Sequence, residues 1–301
     1  MHRRQFLQTT ALSLGAFSLC RPGLLGQLTR PDRFEQLRRG VGYFTMRGGT
    51  IGWCIGADTF VVVDSQFPES AQVFWERASG WSGRSIDLFI NTHYHRDHVG
   101  GNSVLLPKAK ASIAHADVVQ TLARNAAAAD PGTDLPLPPA DVYTGTWEQA
   151  FPDETLHLQH YGDAHTSGDS VVLFEKANVV HMGDLVFNRR APYIDKGDDA
   201  SISGWMHTLE QVHERFNEDT LFIFGHAGTD WPVTGGRADL LQMRDFLDAL
   251  LAKAETTRQA GGSVEDLIEP PIVPGFEGYT DPDRPGGMTR ALRAAWQEVT
   301  E

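Results

Sequence analysis

The sequence predicts an α+β fold, a four-layer αββα sandwich in which two β-sheets pack face to face and helices cover both outer faces. Runs of β-branched and aromatic residues alternate with helical stretches twice along the 301-residue chain, and this order is typical of sheets covered by helices. In addition, 41% of the residues are hydrophobic and 10% are aromatic, which is enough to bury a sizeable core.

The first half of this pattern follows a linker expected near residues 21–40. Three strand-like runs, broken by Gly48-Gly49, predict antiparallel strands joined by tight turns. A helix, a strand, a second short strand and a second helix are expected after them. The expected strands are 41–45, 51–55, 60–64, 86–91 and 111–114, and the expected helices are 69–77 and 117–128.

The second half begins after a Pro-rich loop at 130–141. Its expected strands are 155–159, 170–174, 178–181 and 221–224, and its expected helices are one carrying Trp205, Leu209, Val212 and Phe216 at 3.6-residue spacing and one at 237–258. The tail from Gly261 is rich in Pro and Gly. We therefore predict a domain at 27–260 and a C-terminal extension at 261–301 that packs on its surface.

The N-terminus reads as an export signal at residues 1–26. Arg3-Arg4-Gln5-Phe6-Leu7 precedes a short apolar stretch that is too short to span a membrane, and it resembles a twin-arginine signal. The expected partner is the twin-arginine export machinery, which carries folded proteins, and the expected location is the periplasm or another exported compartment, without stable membrane insertion after cleavage. Cys20 allows a lipoprotein alternative, which the preceding Phe17-Ser18-Leu19 disfavours.

The net charge is −13, and the chain has no long basic run. Nucleic-acid binding requires clustered Lys and Arg, so we expect no nucleic-acid partner. Of the two cysteines, Cys20 falls in the predicted signal and Cys54 in a strand-like run, so neither a disulfide nor a thiolate ligand is expected in the mature chain.

The segment His93-Tyr94-His95-Arg96-Asp97-His98 directly follows an apolar run. Imidazole and carboxylate are ligands that Zn²⁺ favours. His93 and His95 are two positions apart, so on an extended backbone they point the same way. Asp97 and His98 follow where the chain turns and can face a neighbouring position. The spacing indicates donors for two adjacent ions, whereas a solvated polar loop rarely carries this many histidines.

Three further donors share this context, because each lies in a short polar turn beside an apolar strand. They are His165 before Ser170-Val171-Val172, Asp184 after Val179-Val180, and His226 after Phe222-Ile223-Phe224. Ligands at strand ends let a rigid sheet fix their geometry. Each of these donors alone is weak evidence for a metal site. Their order in the chain and their flanking glycines, taken together with the histidine cluster, make a specific signal.

These motifs, His93-x-His95-x-Asp97-His98, His165, Gly183-Asp184 and Gly225-His226, resemble the metallo-β-lactamase superfamily over roughly residues 40–250. The resemblance implies an αββα sandwich with two zinc ions per chain. It implies that His93, His95 and His165 hold the first zinc, that Asp97, His98 and His226 hold the second, and that Asp184 bridges them. It also implies that Asp64 orients a ligand histidine. The absence of a cysteine ligand departs from one lactamase subgroup, and His95 departs from the flavodiiron branch.

The function we expect is that of an exported binuclear zinc hydrolase, β-lactamase-like, acting on a small-molecule substrate. A metal-bridging hydroxide attacks an amide, lactone or (thio)ester carbonyl, and Asp97 is the catalytic residue that orients it. Asn188, Arg189 and Arg190 are candidate substrate residues. The alternative is a metal-binding accessory protein of a periplasmic redox system without hydrolytic turnover. The native metal, Zn against Fe or Mn, and the substrate stay open.

Overall fold

The computed structural model describes residues 32–279 and 285–301. The export signal predicted at residues 1–26 therefore lies outside the described residues. Two large β-sheets, one of seven strands and one of six, form the centre of the described chain, and a separate pair of short strands lies next to them.

The seven-stranded sheet is built in chain order, so each strand pairs with the next. Its first four strands are antiparallel and the remaining ones run parallel, and the parallel connections contain helices, as they must. The strands are β1 (Arg33–Arg38), β2 (Val41–Thr45), β3 (Ile51–Ile55), β4 (Phe60–Val63), β5 (Ile86–Ile90), β6 (Ala109–His115) and β7 (Asp141–Tyr143). The helices are α1 (Pro68–Ser82), α2 (Arg96–Val99), α3 (Asn102–Leu105) and α4 (Ala116–Ala128).

The second sheet and the strand pair contain β8 (Thr146–Ala150), β9 (Thr155–Gln159), β10 (Val171–Phe174), β11 (Val179–His181), β12 (Phe187–Asn188), β13 (Leu221–Ile223), β14 (His226–Ala227) and β15 (Thr234–Gly235). The sheet order is β15-β13-β11-β10-β9-β8, and β12 pairs with β14. The helices of this half are α5 (Ile202–Arg215), α6 (Arg237–Gln259), α7 (Val264–Ile268) and α8 (Gly287–Thr300). Because β11 and β13 are parallel, both strands end at the same edge.

The side chains of β4 show how the layers are formed. Val61 and Val63 lie in the core between the two sheets, which they share with residues such as Phe174 of β10. Phe60 and Val62 alternate to the opposite face and pack beneath α1. On the far side, α5, α6 and α8 share a third core with the second sheet. The four-layer αββα sandwich predicted from the sequence is confirmed.

One predicted segment differs in the structure, because strand β1 lies within the linker expected near 21–40. The polar side chains of β1 gave no strand signal, since an edge strand is fixed by backbone pairing. In the C-terminal extension predicted at 261–301, Leu267 and Leu292 are fully buried and α8 packs on α6. Among the described residues, no helix is both long and apolar enough to span a bilayer.

Candidate metal centre

The histidine cluster occupies the loop that leaves β5. The strand ends at Ile90, and α2 begins at Arg96 with His95 as its N-terminal cap. His95 has an extended backbone and His93 lies in the bend that follows β5, whereas Asp97 and His98 lie in α2. The start of α2 therefore separates His93 and His95 from Asp97 and His98.

The first donor set consists of His93, His95, His165 and Asp184, whose ligand atoms all lie within 4.8 Å of one another. Nδ1 of His95 is 2.9 Å from Nε2 of His165. Nε2 of His93 is 3.8 Å from Oδ2 of Asp184. His165 comes from the turn before β10, so the set combines donors from both sheets.

The second donor set consists of Asp97, His98 and His226 within the same 4.8 Å limit. Nε2 of His226 lies 3.2 Å from Oδ2 of Asp97 and 3.5 Å from Nε2 of His98. His226 starts β14, and two residues separate it from the end of β13. This set therefore combines donors from the loop after β5 with one from the β12–β14 strand pair.

Asp184 lies between the two sets. Its carboxylate oxygens are 3.5 Å from Nε2 of His165, 2.9 Å from Nε2 of His98 and 3.3 Å from Nε2 of His226. The turn after β11 holds it there, and Gly225 leaves room for it, because a Cβ at Gly225 would overlap Oδ1 of Asp184. Asp184 therefore contacts donors of both sets.

The charges at the centre reflect its burial. Burial lowers the pKa of His93 well below its usual value and lowers the pKa of His165 to about 3. For His98 and His226, burial acts in the same direction, but neighbouring carboxylates together outweigh it and raise both pKa values: Asp184 and Asp64 act on His98, and Asp184 and Asp97 act on His226. Conversely, His226 and His98 outweigh burial at Asp184 and hold the pKa of that carboxyl well below its usual range.

The residues fit a metal centre. Nε2 of His93 is buried and has no hydrogen-bond partner in the described part of the chain. A buried polar atom without a partner costs about 1–3 kcal/mol, which a coordinated cation offsets. Imidazole nitrogens and carboxylate oxygens without thiolate are typical donors for Zn²⁺.

Asp64 lies directly behind the second donor set. It adopts a left-handed backbone with a φ of 66° and is fully buried. Its Oδ1 accepts a hydrogen bond from the Thr92 backbone N–H at 2.8 Å, and its Oδ2 lies 2.8 Å from Nδ1 of His98. Asp64 is thus placed to fix the ring of His98 with Nε2 facing the centre, in the manner typical of carboxylates behind metal-binding histidines.

A family model described as the metallo-beta-lactamase superfamily matches residues 49–226, which include every residue of both donor sets. The chain belongs to the metallo-beta-lactamase superfamily. Among individual relatives, the metallo-beta-lactamase type 2 of Bacteroides fragilis is 25% identical over 141 residues, which are 47% of this chain and 53% of that protein. The chain thus spans about half the length of this relative.

Solved structures agree on the fold. A metallo-beta-lactamase from Pontibacter korlensis matches with a TM-score of 0.61 at 15% identity, covering 72% of this chain and 99% of that one. DIM-1 metallo-beta-lactamase matches with a TM-score of 0.59 at 18% identity over 73% and 98% of the two chains. A double mutant of the sec-alkyl sulfatase PisA1 has a TM-score of 0.67 at 18% identity over 88% and 50%. At these identities the likeness shows the superfamily fold alone.

The candidate substrate residues lie on the strand and turn after Asp184. The side-chain amide of Asn188 donates to the Pro232 carbonyl at 2.9 Å. The Arg189 guanidinium lies 3.3 Å from Asp239 and covers the Trp231 ring at 4.8 Å. Arg190 lines a cavity of about 280 Å³ that opens beside His226. Of the three, Arg190 lines this cavity, whose wall also includes His226 of the second donor set.

The structure adds neighbours that the sequence did not single out. Asp195 lies 3.0 Å from Nε2 of His95 and accepts a hydrogen bond from the Tyr94 hydroxyl. Its separation from the cluster by about a hundred residues left no local signal. His181 of β11 is buried; its Nδ1 accepts from the Gly183 N–H and its Nε2 donates to the Thr50 carbonyl, both at 3.1 Å. It supports the turn of Asp184 and does not join a donor set.

Proposed function

We propose that this protein is an exported, binuclear zinc-dependent hydrolase that cleaves an amide, lactone or (thio)ester of a small molecule. The observation that carries the proposal is the position of Asp184 between two donor sets, each drawn from both halves of the chain, beside a cavity of about 280 Å³. A shared carboxylate is what two adjacent ions require, and paired ions are suited to stabilising the attacking and leaving atoms of a displacement.

Zinc is the metal that the donors favour. In this proposal His93, His95 and His165 hold the first ion, Asp97, His98 and His226 hold the second, and Asp184 bridges them. These sets contain no thiolate, and Cys54 is buried in the core between the sheets, where burial raises the pKa of its thiol to about 12. Nitrogen and oxygen donors without thiolate select Zn²⁺ over the softer Cu(I).

When bound, two zinc ions lower the pKa of a water molecule to near neutrality and polarise a carbonyl oxygen. Asp97 orients the attacking water. Burial raises the pKa of Asp97, but the hydrogen bond from His226 and the positive charges of His98 and His226 together outweigh it and hold that pKa below its usual value, so the carboxylate is ionised as an acceptor. A carboxylate oxygen takes the water proton as the new C–O bond forms, and returns it to the leaving nitrogen, oxygen or sulfur as the old bond breaks.

The cavity beside His226 is the proposed substrate site. Its wall combines Arg190 with Tyr43, Met46 and Trp231, a mixture of apolar surface and a few polar groups that is typical of small-molecule pockets. Its size is at the lower end of the range for such pockets, about 300–1,000 Å³. We therefore expect a compact substrate, with Arg190 rather than Asn188 or Arg189 in contact with it.

The test is metal analysis and a substrate panel on zinc-loaded protein. We expect two zinc ions per chain and turnover of at least one class among a β-lactam, a lactone and a thioester, lost on chelation and restored by zinc. Two bound zinc ions without turnover of any ester, amide or phosphate would favour the accessory role in a redox system. A chain that binds no metal would contradict both.

Export is part of the proposal, and it is supported by Arg3-Arg4 ahead of an apolar stretch. The partner is the twin-arginine machinery, and no stable membrane insertion follows cleavage. The test is fractionation of cells that express the full chain. Replacing Arg3 and Arg4 together by Lys should retain the protein in the cytoplasm, whereas unchanged export would refute the twin-arginine route.

A further inference from the structure

His95 uses its ring in the opposite sense to His98. His98 turns Nε2 to the centre and Nδ1 to Asp64. His95 instead turns Nδ1 to the centre, 2.9 Å from His165, and directs Nε2 outward to Oδ2 of Asp195 at 3.0 Å. A neutral imidazole carries one N–H, and the acceptor on the outer nitrogen decides which nitrogen keeps a lone pair for a metal. His95 therefore needs an outer acceptor of its own.

Asp195 is built as that acceptor. The hydrogen bond from His95, together with that from the Tyr94 hydroxyl, outweighs partial burial and lowers the pKa of Asp195 to about 2. Its other oxygen, Oδ1, accepts from the Gly197 backbone N–H at 3.2 Å. The carboxylate is thus ionised and held at both oxygens, so it presents a fixed acceptor to Nε2 of His95.

The loop that carries Asp195 is anchored at two more points. Asp198 is buried and accepts hydrogen bonds from the hydroxyls of Thr121 in α4 and Ser167 beside His165, each at 3.0 Å. Glu298 of α8 accepts from the Ile202 backbone N–H at 2.8 Å and lies 3.4 Å from Nζ of Lys196. Because the loop is tied to α4, to the His165 turn and to α8, Asp195 keeps its position relative to the donors.

We propose that Asp195, supported by Tyr94, is the positioning residue that locks His95 with Nδ1 toward the first metal position. This inference rests on the metal centre of the proposed function. It divides the outer support between two carboxylates, Asp64 behind the second donor set and Asp195 behind the first. The loop after Arg190 would thus support the metal centre, a role that the sequence of the loop does not indicate.

The experiment measures zinc affinity, not activity. Full-length wild-type protein and the variants D195A, D195N, Y94F and D199N are titrated with zinc against a chromophoric chelator. D199N is the matched control, because it removes the same charge from the same loop. Asp199 is exposed, and its left-handed backbone, with a φ of 58°, is a conformation that Asn accepts. We expect D195A to weaken one of two zinc sites about 10–100-fold, D195N and Y94F to weaken it less, and D199N to leave both unchanged.

A second measurement uses zinc-free protein and does not depend on metal binding. Long-range ¹H–¹⁵N NMR spectra should show His95 protonated at Nε2 in the wild type and in D199N, and a mixture of tautomers in D195A. An unchanged tautomer in D195A, equal weakening of both zinc sites, or an equal effect of D199N would overturn the inference. Wild-type protein that binds no zinc would refute the proposed function separately, while the tautomer result would still decide the role of Asp195.

Discussion

Replacing Gly225 by Ala tests whether Asp184 must occupy its present position. Gly225 precedes His226, and its backbone N–H donates to the Gly183 carbonyl at 2.7 Å. The peptide is therefore fixed against the turn that carries Asp184. A Cβ on Gly225 would fall well inside the 3.0 Å that such atoms keep from other heavy atoms, with Oδ1 of Asp184 as its nearest neighbour.

Relief of this overlap moves either the carboxylate or the backbone by about 1 Å, and a misplacement of that size at a reacting centre costs about 100-fold in rate. Because Asp184 is shared, both zinc sites should weaken. His226 follows Gly225 directly in the chain, so a backbone shift would also displace this donor and weaken zinc binding further.

Zinc content after dialysis and turnover of whichever panel substrate is cleaved measure the effect, and near-UV circular dichroism reports on the fold. The matched control is Gly80→Ala within α1, where nothing lies within 4 Å of the added Cβ; it should keep both zinc ions and gain about 0.5–1 kcal/mol of stability. A folded Gly225→Ala protein with two zinc ions and wild-type turnover would refute the assignment of Asp184 as the shared ligand.

Three further outcomes are expected. Because the pKa values of His98 and His226 are raised, protons must leave these rings before zinc binds, so zinc affinity at the second site should fall about tenfold per pH unit for each displaced proton as pH is lowered. His165, whose pKa is lowered to about 3, adds no such pH dependence at the first site. Isothermal titration of zinc at several pH values measures both affinities. Asp97→Asn should lower kcat by about 10²–10⁴ while part of the zinc stays bound, and unchanged kcat would remove Asp97 from the mechanism. Leu292→Ala, in the buried face of α8, should lower the free energy of unfolding by about 2–5 kcal/mol in a urea titration, and no change would mean that the C-terminal extension does not stabilise the domain.

The sequence was informative where one local rule acts. β-Branched and aromatic residues and tight turns predicted β2 and β3 with their observed bounds, and β9 was predicted with its observed bounds too, because such side chains fit the pleated surface of a sheet. The donors were visible for a similar reason. Each is a charged or imidazole side chain directly beside an apolar strand, a combination that core packing alone does not favour.

What the sequence could not supply depends on partners distant in the chain. The contact of Asp195 with His95 joins residues that only the closed sandwich brings together, and nothing near Asp195 marks it. Strand β1 depends on backbone pairing with β2, which its polar side chains do not reveal. The apolar face of α8 is buried because α6 covers it. The Pro- and Gly-rich segment that precedes α8 in the sequence gave no indication of a helix that contributes to the core.

The distribution of the donors links metal binding to the packing of the sheets. The loop after β5 supplies His93, His95, Asp97 and His98, while the turn before β10 supplies His165, the turn after β11 supplies Asp184 and β14 supplies His226. Neither donor set is complete without residues from both halves of the chain, so the core between the sheets helps to fix the distance between the two parts of each set. A metal that bound these donors would bind the folded state and not the unfolded chain, and at a free concentration a thousand times its dissociation constant it would add about 4 kcal/mol to stability. Metal binding would therefore strengthen the same packing that brings the donors together.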